Sequence, residues 1–135
     1  IPLITFKNRR ATQKGVKAVD KVNVELTSRT RSITNKLFTL QFFQSEKVEN
    51  KNITRTVNVY MEDENGIIIS NIETIIANKT NENSEERMFS KQFALETMEF
   101  DRNKDYFLII KDTETNQYTA KIPFKINLGI VNDFF

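Results

Sequence analysis

Carboxylates are the side chains of this sequence that cluster most tightly, and the chemistry they could support is metal binding or glycoside hydrolysis. Glu62-Asp63-Glu64 stands immediately before Asn65-Gly66. Hard oxygen ligands at a turn can hold Ca²⁺ or Mg²⁺, but the spacing is not that of an EF-hand loop. A solvated hairpin turn accounts for the same residues. Glu85-Glu86 and the group Glu96, Glu99 and Asp101 could supply an acid and a base across a glycosidic bond. Nothing in their spacing says which two would face each other, and a solvated face is the plainer reading. The chain has no His and no Cys. Imidazole ligands, imidazole bases, Cys-based zinc sites, redox dithiols and disulfides are therefore struck out. The expectation is a chain without catalytic residues, bound metal or cofactor.

Binding is better supported. Residues 1–36 carry nine Lys/Arg against Asp20 and Glu25, a balance of +7 within a chain whose net charge is +2. Lys7, Arg9, Arg10, Lys14, Lys17 and Lys21 form the basic front, with Arg29 and Arg31 on a second loop. Such a cluster could neutralise phosphates and bind nucleic acid with strong salt dependence. It lacks interleaved aromatics for base stacking, and pairing with acidic groups is the alternative. At the other end, the tail 129–135 closes on Asp133, Phe134 and Phe135. Terminal aromatics either fold onto their own core or dock into a neighbouring domain or subunit. Asn52-Ile53-Thr54 and Asn78-Lys79-Thr80 match glycosylation sequons, a pattern common by chance in an Asn- and Thr-rich chain.

The elements that must position these residues are strands. Tyr118, Ala120, Ile122, Phe124, Ile126 and Leu128 recur at every second residue, with Thr119, Lys121, Pro123, Lys125 and Asn127 between them. A period of two puts one set on a buried sheet face and the other in water. Val22/Val24/Leu26, Phe38/Leu40/Phe42 and Val57/Val59/Met61 alternate in the same way. Phe89, Phe93 and Leu95 do so too, with Lys91 as a blemish on the apolar parity, and Tyr106 to Ile110 is a continuous apolar run. Ile1 to Phe6 is also strand-like, and Ile72 to Ala77 adds a short strand. Asn65-Gly66 between β-rich runs, with Ile67-Ile68-Ile69 following, is a hairpin signal, since both turn residues tolerate positive φ. Thr27 to Asn35 and Ser45 to Asn52 read as connections. Asn78 to Glu86, which has no apolar residue, reads as surface loop or one helical turn. Pro123, lacking an N–H on the outward parity, points to an edge or a bulge.

The expected fold is all-β, an immunoglobulin-like antiparallel β-sandwich of about seven to nine strands, with a barrel as alternative. At 135 residues the chain has the size of one domain, spanning 1–135 with its tail at 129–135. Eleven Phe give it a core, each contributing about 1.5–3 kcal/mol when fully buried. It begins Ile1-Pro2-Leu3 without Met, which suggests an excised C-terminal domain of a larger protein. No apolar run reaches the roughly 18 residues a membrane span needs, and the lack of Cys fits the cytoplasm.

From Arg55-Thr56 onward the order of features resembles the C-terminal region of PglZ proteins, the phosphatase-like components of bacterial BREX phage-defence systems. The resemblance is carried by Tyr60-Met61-Glu62-Asp63-Glu64-Asn65-Gly66, Ile69-Ser70, Ala77-Asn78-Lys79-Thr80 and Glu85-Glu86-Arg87. It continues through Lys104-Asp105-Tyr106-Phe107-Leu108, Ile122-Pro123-Phe124-Lys125-Ile126 and Asp133-Phe134, and Phe42-Phe43-Gln44-Ser45-Glu46 also fits. The tail departs from the pattern at Asn127, Gly129 and Asn132. The resemblance implies an alkaline-phosphatase-like, metal-dependent core upstream, which needs a Ser/Thr nucleophile and metal ligands including Asp and His. A chain without His is not that core, so no catalytic residue carries over.

The function expected is a non-catalytic, protein-interaction domain of a PglZ-like defence protein. Its partners would be the other domains of the parent and another protein of the defence complex, with Asp133, Phe134 and Phe135 as anchors and a free sheet edge able to add a strand. The alternatives are an accessory nucleic-acid-binding module using the basic front, and a structural β module of a phage or cell-surface protein. A carbohydrate hydrolase is more distant.

Overall fold

The period-two segments form strands in the computed structural model, which describes residues 20–128. In chain order these are β1 (Asp20–Lys21), β2 (Val24–Leu26), β3 (Ser32–Ile33), β4 (Leu37–Gln44), β5 (Asn52–Ile53), β6 (Arg55–Glu62), β7 (Glu73–Ala77), β8 (Met88–Ala94), β9 (Tyr106–Asp112) and β10 (Tyr118–Ile126). A single 3₁₀ turn, Ser84–Arg87, precedes β8. Its start is fixed by Asn83, whose side chain accepts from the Glu85 N–H at 2.9 Å. Seven of the ten strands are three residues or longer; β1, β3 and β5 are two-residue pairings, and β3 lies inside the Thr27 to Asn35 segment that reads as a connection.

A five-stranded sheet, ordered β3-β10-β9-β6-β7, faces a three-stranded sheet, β2-β4-β8. Their inward side chains form one core, with Leu40, Phe42 and Phe93 from the smaller sheet against Val57, Val59, Leu108, Ile110 and Phe124 from the larger. Phe93 stacks on Phe38 at 5.6 Å and meets Phe42 edge-on at 6.3 Å, a geometry favoured by the ring quadrupoles. The fold is thus an all-β sandwich. The long ladders are antiparallel, but β3 runs parallel to β10 and β1 parallel to β5.

Two details are immunoglobulin-like. The first part of the described chain switches sheets, since β2 pairs with β4 and β3 then crosses to β10. At the start of β9 the Tyr106 hydroxyl accepts the Asp101 N–H at 2.8 Å, the tyrosine corner of such sandwiches. Phe100 packs edge-on against the same ring at 5.5 Å.

Several expectations need correction. Tyr118 does not share the buried face of Phe124 and Ile126. A register shift between Tyr118 and Ala120 leaves Tyr118 opposite Lys111 on the outer face, and its side chain is exposed. The Asn65-Gly66 turn forms, but among described residues only Gly66 and Asn116 have positive φ, so Asn65 does not use its tolerance. Asp63 Oδ1 accepts the N–H groups of Asn65 and Ile67, and the Gly66 N–H donates to the Asp63 carbonyl. The following Ile run makes a single bridge, Glu62 to Ile68, rather than a strand.

Two of the edges are individually guarded. Lys91 lies on the inward face of β8, an edge strand, where a charge disfavours pairing with another sheet. The Asn71 side chain closes the end of that edge, accepting from the Ala94 N–H at 2.7 Å and donating to the Gln92 carbonyl. On β10 the N–H groups of Lys125 and Asn127 bond to Arg31 and Ile33. Pro123 shares their backbone direction and stands where β3 no longer runs alongside, so its missing N–H costs no ladder bond.

Candidate functional site

The described polar residues singled out by sequence fall into separate groups, and several are bonded into the fold. Asp112, at the end of β9, is buried. Its carboxylate accepts from Arg55 Nη1 at 2.7 Å, Lys21 Nζ at 3.2 Å, and the N–H groups of Glu114 and Thr115. Burial works to raise its pKa, but the two backbone donors and Lys21 outweigh it and hold the carboxyl below its usual range. Lys21 also meets Glu114 at 2.5 Å, and that hydrogen bond holds its ammonium above its ordinary value. Arg55 Nε donates to the Val22 carbonyl at 2.7 Å. The group fastens the segment around β1 to the β9–β10 turn. Lys21, expected among the phosphate-binding cations, is already shared by two carboxylates. Lys7, Arg9, Arg10, Lys14 and Lys17 lie outside the described residues, as do Asp133, Phe134 and Phe135.

A second group joins three residue clusters that are far apart in the chain. Gln44, fully buried, donates from Nε2 to the carbonyls of Glu46 and Lys79 at 2.7 and 2.8 Å. Its Oε1 accepts the Lys79 N–H at 2.9 Å. Arg87, also buried, donates to the carbonyls of Gln44, Asn81 and Glu82 and lies 5.3 Å above the Phe43 ring. These two side chains satisfy the backbone of two loops where no strand can. Four of the clustered acids are spent in the same way. Asp63 caps its turn, Glu64 pairs with Lys104 at 3.3 Å, Glu86 accepts from Asn81 at 2.5 Å, and Asp101 accepts the Asn103 N–H. Among the described residues no three His, Cys, Asp or Glu side chains are placed to share a metal ion.

The outer face of the five-stranded sheet is where the structure departs most from a solvated surface. On the polar parity of β6 stand Thr56, Asn58, Tyr60 and Glu62, and the last two are buried, as is Ile109 beside them on β9. Because the bulge turns Tyr118 outward, its hydroxyl reaches the Glu62 carboxylate at 3.2 Å. Lys121 stands 4.0 Å from the same carboxylate and 4.7 Å above the Phe107 ring, and Lys111 lies 5.9 Å above Tyr118. Burial pushes the Tyr60 phenol up to about 12, with Tyr118 and Glu62 adding to the shift. A phenol that holds its proton so firmly is no general base at neutral pH. What the face offers is apolar and aromatic surface with lysines beside it. Sequence reading missed it because its one signal, the pair Tyr60 and Glu62 on a polar parity, looks like ordinary strand exterior.

No family model matches the chain. Among curated proteins it is 41% identical over 136 residues to the alkaline phosphatase-like protein PglZ of Bacillus cereus (strain H3081.97), covering 99% of this chain and 16% of that protein. It is 27% identical over 103 residues to the alkaline phosphatase-like protein BrxZ of Escherichia coli O9:H4 (strain HS), covering 76% of this chain and 12% of that protein. The resemblance to PglZ-type proteins read from its residues therefore holds along almost the whole chain. The chain spans about a sixth or less of the length of these relatives. Several of the residues that carried the resemblance have architectural roles: Gln44, Lys79 and Arg87 form one network, Asp63 and Gly66 build the turn, and Tyr106 makes the corner. Among the described residues no helix is long and apolar enough to cross a membrane.

Proposed function

We propose that this chain is a non-catalytic interaction domain at the C-terminal end of a longer, PglZ-like polypeptide, and that it serves a cytoplasmic BREX-type phage-defence complex. The observation that carries the reading is how the polar groups are used: Gln44, Arg87, Asp63 and Asp112 direct their hydrogen bonds into loops and turns. Alkaline-phosphatase-like chemistry, which the relatives' names indicate, belongs in this reading to the other part of the polypeptide, since metal-ligating imidazoles cannot come from a chain without His. The domain's task is then to hold that part in contact with a second protein, through the tail ending in Asp133, Phe134 and Phe135 or through an exposed sheet surface.

The test is co-purification of the tagged chain from cells expressing its whole native operon, with and without nuclease. A defined protein retained after nuclease is the expected result. Metal-dependent phosphate ester hydrolysis by the 135-residue chain itself would overturn the non-catalytic assignment. The +7 balance of residues 1–36 favours a second reading, contact with nucleic acid through Lys7, Arg9, Arg10, Lys14 and Lys17. Retention only of nucleic acid, or of proteins lost on nuclease treatment, would put that reading first.

A further inference from the structure

Exposed apolar side chains are concentrated on one side of this sandwich. Of the nine large apolar residues exposed among the described ones, Ile67, Ile68, Ile72, Ile76 and Tyr118 are all on the five-stranded sheet or its β6–β7 connection. Their placement follows from the register. Ile68 bridges to Glu62, Ile76 is opposite Thr56, and Ile72 precedes β7 on the parity of Thr74 and Ile76. The three isoleucines therefore flank the outer side of β6 from Glu62 to Thr56, a stripe roughly 20 Å long at the rise of an extended strand. Beside it lie the buried Tyr60 and Ile109, and beyond these Tyr118 and the lysines of β9 and β10.

The three-stranded sheet looks different. The middle of its outer face shows Thr39, Gln41, Ser90 and Gln92 as small or polar side chains, with Gln41 bonded to Ser90 at 3.2 Å, and its exposed apolar residues, Leu37 and Met88, are set apart at the two ends. The middle of such a face is content in water. The isoleucines beside β6, interrupted by Thr74 where its hydroxyl donates to Asn58 Oδ1 at 2.8 Å, adjoin a buried aromatic floor, and apolar patches of this kind mark surfaces covered by another body.

We infer that the isoleucine stripe of the five-stranded sheet is the seat on which this domain packs against the remainder of its own polypeptide. This rests on the reading above that the chain is one domain of a longer PglZ-like protein. The choice of occupant comes from the relatives, which align with 99% and 76% of this chain while it makes up only 16% and 12% of their length. In such a protein the nearest large body is the rest of the same chain, held at high effective concentration by its connection. Charge narrows the chemistry of the covering surface. It is apolar where it meets Ile68, Ile72 and Ile76, and carries a carboxylate where it meets Lys111, whose ammonium lies over the Tyr118 ring; Lys121 already faces the Glu62 carboxylate at 4.0 Å.

The experiment is hydrogen exchange by mass spectrometry on the peptide covering residues 71–78, in the 135-residue chain and in the longer polypeptide. Exchange about tenfold slower or more in the longer polypeptide is expected. The double variant I72K/I76K should abolish that slowing. The control T39K/Q92K, on the other sheet, should leave it intact. Equal exchange in both contexts, slowing that survives I72K/I76K, or slowing lost in the control would each overturn the inference. The outcome is separable from the proposed function, because a domain that seats on its own polypeptide shows the slowing whether or not a second protein co-purifies.

Discussion

Replacing Gln44 with Ala tests whether the residues that carry the resemblance to PglZ-type proteins are architectural. Gln44 is completely buried and makes three hydrogen bonds, to the Glu46 carbonyl and to the carbonyl and N–H of Lys79. At about 1 kcal/mol net for each, truncation costs about 3 kcal/mol. The orphaned backbone groups sit at a loop where water can reach some of them, which keeps the cost below the full burial penalty. For a domain of this size that is a fall in Tm of roughly 12 °C. Gln44→Glu should be worse, since a carboxylate would turn lone pairs toward the two carbonyls that now accept from Nε2. Urea unfolding followed by far-UV circular dichroism reads both variants, and an unchanged slope would show that the folded and unfolded states remain comparable. A loss below about 1 kcal/mol for Gln44→Ala would refute the reasoning. So would a stable variant that fails to retain its partner, because Gln44 would then act in binding rather than in loop closure.

Tyr106→Phe removes only the hydroxyl that accepts the Asp101 N–H, and should lower stability by about 1 kcal/mol in the same urea assay while leaving the fold unchanged. Tyr60 should ionise late: its phenol, at about 12, is raised in the folded state, so its contribution is complete below the ordinary tyrosine value and is lost as pH rises toward 12. Absorbance at 295 nm, compared between the native chain and Tyr60→Phe, would show that component, and a difference curve centred near 10 would contradict the burial argument. The Asp112 carboxyl is held low, so the stability it contributes is present above the ordinary aspartate range and disappears as pH falls through the folded value. The stability gap between the native chain and Asp112→Asn should accordingly shrink between pH 7 and pH 3, whereas a constant gap would mean the charge is not what the site uses.

The period-two runs decided the fold class because alternation is a local consequence of strand geometry and needs no knowledge of a partner strand. Phe38 to Phe42, Val57 to Met61 and Phe124 to Ile126 could be placed for that reason, and the absence of His and Cys excluded whole classes of chemistry directly. The two-residue pairings were not legible. Ser32-Ile33 and Asn52-Ile53 are too short to show a period, and their parallel pairing depends on β10 and β1 arriving beside them. The bulge at Tyr118 was hidden for a related reason: one extra residue against the partner strand turns a side chain to the other face without altering the sequence's alternation. Lys91 and Pro123 were visible as irregularities, and the sheet order supplied their meaning by making each of them part of an edge. The roles of Gln44, Asp112 and Arg87 combine local bonds with contacts between residues 35 to 91 positions apart. Sequence supplied the polar side chains; only the packed sandwich determined that their hydrogen bonds would be made inside the molecule, because burial removes water as the competing partner.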